Sequence, residues 1–210
     1  VDDDEFQTST EFKCLDDPTV GAFRRSVERA ISYARKRGVV PVAALGNSDT
    51  DLANPPSGNE CEVVPAESPG VIGTTALGNA KGKASYSNWG EGEADVAAPG
   101  GTSTGDPATG IWSTFPGNTY GAISGTSMAS PHAAGVAALI VSQYGKLKDG
   151  DVSLSPDSVQ SRLQSSAIDQ GLQGYDECFG HGRINALRAV TGNTSTVYDA
   201  SAPFCPEYTE

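Results

Sequence analysis

The sequence predicts a three-layer α/β fold, a mainly parallel sheet with helices on both faces. Two observations carry it: helical and apolar extended runs alternate, and one long helix is free of charge from Thr126 to Val141. Asp17-Pro18 reads as an N-cap followed by proline at the first helical position. Phe23, Val27, Ala30, Ile31 and Ala34 then recur at helical spacing. Arg35-Lys36-Arg37 fill the last turn and Gly38 stops it. Val39 to Leu45 follows at once as a short buried strand. Residues 46–69, rich in Asn, Asp, Pro and Gly, form a long loop. Val71 to Leu77 and Ala94 to Ala98 are further strands, the second ending at Pro99-Gly100-Gly101. Ile111 to Phe115 and Tyr120 to Ile123 pair as a hairpin around Pro116-Gly117-Asn118. The uncharged helix runs to about Tyr144 and stops at Gly145. Ser155-Pro156-Asp157 opens another helix, with Val159 and Leu163 on one face. Ile184 to Val190 is a last short helix, and residues 191–210 form a loosely packed tail anchored by Cys205.

Composition narrows the functional classes. The 210 residues suffice for one domain with a substantial core. A net charge of −12 leaves no basic patch to neutralise phosphates, which argues against nucleic-acid binding. The uncharged helix is too short and too polar at its start for a membrane span, so it reads as a buried central helix. The chain opens Val-Asp-Asp-Asp-Glu with neither Met nor an apolar signal segment, so processing or truncation upstream is expected. Four cysteines allow three pairings. Cys14–Cys61 and Cys178–Cys205 each join loop to loop within one region, each closure contributing about 4 kcal/mol in the chain-entropy model. Disulfides imply an oxidising, extracellular compartment. Asn193-Thr194-Ser195 is a glycosylation sequon, a weak pattern.

The residues that carry chemistry are Gly125-Thr126-Ser127-Met128-Ala129-Ser130-Pro131-His132-Ala133-Ala134-Gly135. They join a turn-forming Ser-Gly-Thr to the uncharged helix, placing the Ser127 hydroxyl at a helix N-terminus. Unpaired N–H groups and the positive dipole end there favour a developing oxyanion. Pro131 reads as a first-turn proline. Ala129, Ala133, Ala134 and Gly135 are small and let the helix approach the sheet. Asn47 follows Ala43-Ala44-Leu45-Gly46 at the C-terminal end of a strand, where an amide projects into the cleft at the sheet edge.

The eleven-residue run resembles the nucleophile segment of the subtilisin-like serine proteases (subtilases). Ser85 to Gly90, Asp95 to Gly100 and Gly180 to Ala186 extend the resemblance over roughly residues 20 to 190. It implies that residues 1–190 are the C-terminal portion of a peptidase domain, with 191–210 as its tail. It implies a peptide or protein substrate, with Ser127 as nucleophile and Asn47 as oxyanion donor beside the Ser127 N–H. Ala44, Leu45 and Gly46 would form one wall of the primary specificity pocket, narrowed by Leu45. No cofactor is needed for the chemistry, but structural calcium is common in the family. The weak candidate here is Asp95 with carbonyls around Ala66 to Val71.

A subtilase needs an Asp and a His ahead of its Ser. The two histidines, His132 and His181, both follow Ser127. His132 reads as buried and hydrogen-bonded, and His181 as structural. The chain is therefore expected to carry the nucleophile without its base, to be inactive alone, and to partner the missing N-terminal half. Two other readings stay open. One is a catalytically dead peptide-binding fragment or pseudo-protease. The other is an α/β-hydrolase-type esterase with Ser127, Asp176 and His181 in triad order, though it lacks the second Gly of the nucleophile elbow.

Overall fold

A computed structural model describes residues 18–56, 61–148, 151–202 and 205. Helix α1 spans Pro18–Lys36 and hands directly to strand β1, Val42–Ala44. Strands β2 (Ile72–Leu77) and β3 (Val96–Pro99) follow, and the three pair in parallel in the order β1-β2-β3. The hairpin β4 (Ile111–Phe115) and β5 (Thr119–Ile123) leads into α2, Thr126–Tyr144. A second hairpin, β6 (Lys146–Lys148) and β7 (Asp151–Ser153), precedes α3 (Pro156–Ser165) and α4 (Ala186–Thr191). Thus the α/β architecture with its parallel sheet is as the sequence predicts.

Side-chain alternation gives the sheet two apolar faces. Val96 and Ala98 of β3 join Ile72 and Ala76 of β2 in the main core, against Ala129, Ala133, Val136, Ala137 and Ile140 of α2. Val159 and Leu163 of α3 and Ala189 of α4 complete that core. Ala97 points the other way, into a cluster with Leu77, Phe179 and the Cys178–Cys205 pair. That disulfide is formed as expected. The Cys14–Cys61 pairing falls on Cys14, outside the described residues.

Several local expectations change. Strand β1 begins only at Val42, because Pro41 has no N–H to enter a ladder. Helix α2 is buried along one stripe rather than all round: Pro131, His132, Ala134, Gly135, Ala138 and Leu139 are exposed. Ala134 and Gly135 therefore do not mediate close approach to the sheet; only Ala129 and Ala133 do. Pro131 is the sixth residue of α2, not a first-turn proline, so the Ser127 carbonyl lacks its usual i+4 donor. In α1 only Ile31 is buried, and Phe23 faces solvent. The tail is better packed than expected. Asp169 N–H donates to Val197 O and Asp199 N–H to Asp169 O, and Ala202 is buried.

Gly100 holds the sheet to the start of α2. Its carbonyl accepts from Gly125 N–H at 2.9 Å. A Cβ there would sit 2.5 Å from Ala76 Cβ and 2.8 Å from the Gly125 carbonyl oxygen. Gly100→Ala is therefore expected to destabilise the chain by about 1–3 kcal/mol through overpacking. Urea unfolding monitored by circular dichroism measures this. An unchanged midpoint would show that the two elements separate freely.

Candidate active site

Asn47 follows β1 and Ser127 opens α2, and the two meet beside Gly125. A Cβ built on Gly125 would lie 3.7 Å from Asn47 Nδ2 and 3.7 Å from the Ser127 backbone N. Asn47 Oδ1 lies at the same 3.7 Å, so the Asn47 amide and the Ser127 N–H both lie near Gly125 at the N-terminus of α2, where the helix dipole favours negative charge. Asn47 is delivered by β1 through Gly46, whose φ of 99° suits glycine. Ser127 is delivered by the first turn of α2.

Thr126 locks these two ends together. Its backbone N–H and its hydroxyl both donate to Asn47 Oδ1, each at 2.9 Å. Its Oγ1 also accepts from Gly46 N–H at 3.1 Å. These bonds hold Oδ1 and so restrain the Asn47 amide. Thr126 is fully buried, so water does not compete for these bonds.

Asn88 forms a second clamp. Its Nδ2 donates to Leu45 O at 2.8 Å, and its Oδ1 accepts from Ser48 N–H and Thr50 N–H. Its own N–H donates to Gly46 O at 3.0 Å. Tyr86 braces the opposite side, its hydroxyl donating to the carbonyls of Gly100 and Gly101 at 2.8 Å each. Burial pushes the Tyr86 phenol up to about 12, so it remains a neutral donor at ordinary pH. Sequence reasoning gave no role to Thr126, Asn88 or Tyr86. Only their membership of the Gly125-Thr126-Ser127 and Ser85 to Gly90 segments marked them.

The proposed pocket wall has mixed surroundings. Ala44 and Gly46 are half-buried. Leu45 is fully buried among Leu52, Ala66 and Ala94. Its N–H donates to Thr74 O, continuing the β1–β2 ladder one residue past Ala44.

Neither histidine is placed to serve Ser127. His132 is exposed, not buried, with Nδ1 hydrogen-bonded to Met128 O at 2.7 Å. Five residues along a helix turn it well away from Ser127. His181 is exposed too, edge-on to Tyr175 at 5.4 Å between ring centroids. Asp176 gives its Oδ1 to the N–H groups of Cys178 and Phe179, not to His181. The esterase order of residues thus has no matching hydrogen bonds.

Asp95 does not fit a cation as it stands. Its Oδ2 accepts from Gly73 N–H at 2.8 Å, and its Oδ1 from the amides of Gln160 and Gln164 at 3.1 and 2.8 Å. Donor hydrogens thus cover both oxygens, where a hard cation would need bare ones. Burial raises the Asp95 pKa, and these bonds oppose the rise. Among the described residues no group of three or more His, Cys, Asp or Glu is placed to hold a metal.

Behind the Leu45 cluster lies a knot of acids. Glu67 accepts a short hydrogen bond from Val63 N–H. Burial pushes it up to about 7, with Glu93 and Glu62 adding repulsion. A raised carboxyl holds its proton in the folded chain where the unfolded chain has already lost it. The stability this gives is full below about pH 4.5 and is lost as pH rises to about 7. Glu67→Gln keeps an acceptor for Val63 without the charge. It is expected to raise the unfolding temperature at pH 8 and leave it nearly unchanged at pH 4. Calorimetry at the two pH values checks this; an equal effect at both would remove ionisation as the cause.

The profile of the subtilase family (Peptidase_S8) matches residues 14–182. Subtilisin DY of Bacillus licheniformis is 38% identical over 166 residues, 79% of this chain and 52% of its own length. Thermitase of Thermoactinomyces vulgaris is 34% identical, covering 82% of this chain and 50% of its own length. A crystal structure of a lanthipeptide protease superimposes with a TM-score of 0.76 at 26% identity, covering 84% of this chain and 57% of that one. The chain spans about half the length of the curated relatives it matches. Profile, relatives and fold agree: this chain belongs to the subtilase family.

Proposed function

We propose that this chain supplies the nucleophile and oxyanion half of a serine endopeptidase. Ser127 Oγ attacks the peptide carbonyl to form an acyl-enzyme, which water then hydrolyses. The developing oxyanion sits between Asn47 Nδ2 and the Ser127 N–H. The observation that carries this is that the Thr126 N–H and hydroxyl tie the Asn47 amide to the first turn of α2, beside Ser127. Thr126 is a positioning residue that aims the Asn47 amide. The backbone of Ala44 to Gly46 flanks the acyl side of the substrate; the Leu45 side chain is buried away from it and does not narrow the pocket.

The base and the carboxylate that orients it come from outside these 210 residues. Two features support that reading. Both histidines are held elsewhere, and the chain covers only about half of its relatives. The exposed stripe of α2, Ala134, Gly135, Ala138 and Leu139, is where the rest of such a domain would pack. The enzyme works outside the cell, in keeping with its disulfide.

Peptide cleavage by residues 1–210, alone and extended upstream to include an Asp and a His, tests the proposal. The expected result is no turnover alone and robust turnover when extended. Turnover by 1–210 alone that vanishes in His181→Ala would revive the esterase-like order. An extended chain that binds peptide without cleaving it would favour the pseudo-protease.

A further inference from the structure

The short segment from Lys83 to Asn88 touches both sides of the proposed oxyanion site. Asn88, 1% exposed, brackets Asn47 from the inside. Before Asn47, Asn88 Nδ2 donates to Leu45 O at 2.8 Å and Asn88 N–H to Gly46 O at 3.0 Å. After it, Ser48 N–H and Thr50 N–H donate to Asn88 Oδ1 at 2.9 and 3.1 Å. One buried side chain therefore holds the turn on both flanks of the proposed oxyanion donor, where water does not compete for the bonds.

The turn needs that support. Asp49, two residues past Asn47, has a φ of 51°, a left-handed backbone that persists only where its surroundings impose it. Its N–H donates to Tyr86 O at 2.9 Å. Its carboxylate pairs with Lys83, whose side chain is buried and whose Nζ also donates to Ser87 O at 3.1 Å. The same segment reaches the start of α2. The Tyr86 hydroxyl donates to Gly100 O, which also accepts from Gly125 N–H. The segment is in turn pinned to β2, with Ala76 N–H donating to Ser87 Oγ at 2.9 Å and Ala84 N–H to Ala76 O at 2.8 Å.

We propose that Asn88 is a positioning residue of the oxyanion site: it sets the 45–50 turn so that the Asn47 amide meets the first turn of α2 in a single geometry. Its effect on rate rests on the peptidase reading above. Its effect on the order of the Asn47 amide does not. Asn88→Asp separates the two. A protonated carboxyl keeps an acceptor for Ser48 and Thr50 and a donor for Leu45 O. An ionised one keeps the acceptor but sets an anionic oxygen against the Leu45 carbonyl. The charged groups nearest to it, Lys83 and Asp49, already pair with each other.

The test has two arms. In the upstream-extended enzyme, kcat of Asn88→Asp is compared with the native value from mildly acid to mildly alkaline pH. The ratio should be near native where the new carboxyl is protonated. It should fall by about 10–100-fold once the carboxyl ionises, short of the 10²–10³-fold known for losing an oxyanion donor outright, with KM little changed. Asn88→Ala should be low at every pH. Circular dichroism at each pH gives the folded fraction. A ratio that only follows the folded fraction overturns the proposal, as does a folded Asn88→Ala with kcat close to native. The second arm needs no turnover. In residues 1–210, ¹⁵N relaxation of the Asn47 side-chain amide, assigned with Asn47→Ala, should report an ordered group in the native chain and in acid Asn88→Asp. It should report a mobile group once that carboxyl ionises. An Asn47 amide equally ordered in native, Asn88→Asp and Asn88→Ala chains overturns the proposal. An amide that loosens as expected, in a native extended enzyme that cleaves no peptide, supports the positioning role and rejects the peptidase reading.

Discussion

Ser127→Ala, made in the upstream-extended enzyme, is expected to lower kcat by about 10⁶-fold with little change in peptide binding, the scale known for subtilisin itself rather than one derived from this chain. The reason is the proposed role of Ser127 as the nucleophile. Ser127 stands in the first turn of α2, and the neighbouring Thr126 hydroxyl is committed to Asn47 and Gly46. Steady-state kinetics on a chromogenic peptide measures the loss. Residual activity within 100-fold of the native enzyme would place the nucleophile elsewhere.

Thr126→Val is the second large effect. It keeps the shape of the side chain and the backbone bond to Asn47 but removes the hydroxyl. Asn47 Oδ1 loses one of its two anchors, and Gly46 N–H loses its acceptor. The amide then turns, and the oxyanion loses an aimed donor. The expected fall in kcat approaches the 10²–10³-fold known for removing the oxyanion donor of subtilisin, with KM little changed. Three comparisons separate positioning from general damage. Thr126→Ser should restore most of the rate. Asn47→Ala should fall as far as Thr126→Val or further. The double variant should be no worse than Asn47→Ala alone, because both remove one interaction. Fully additive losses would mean that Thr126 acts by some other route.

These effects also mark how far the sequence could be read. Elements with local signals were legible. Ser155 caps α3 with its side chain on Ser158 N–H, and Asn185 caps α4 the same way, ending at Gly192. Pro116-Gly117-Asn118 closes the β4–β5 hairpin, with positive φ at Gly117 and Asn118. The β6–β7 hairpin was not legible, because three residues per strand carry too little alternation to register.

Within the site the same division holds. Ser127 and Asn47, the proposed nucleophile and oxyanion donor, could be named from the sequence because each sits in a local motif. Their support was not, because it joins distant parts of the chain. Thr126 reaches Asn47 across 79 positions, and Asn88 reaches Leu45 across 43. No window of sequence contains such a pair. The exposed stripe of α2 was missed for a different reason. An uncharged helix whose middle, Ala133 to Val141, holds only small and apolar residues carries no mark of its solvent-facing side until the packing is seen.

Covalent labelling tests the central claim most directly. The upstream-extended enzyme is treated with a peptidyl phosphonate, digested and read by mass spectrometry. The account predicts a single adduct on Ser127 in step with loss of activity, and greatly slowed labelling in Asn47→Ala. An adduct on another residue, or full inactivation with Ser127 unmodified, would contradict it.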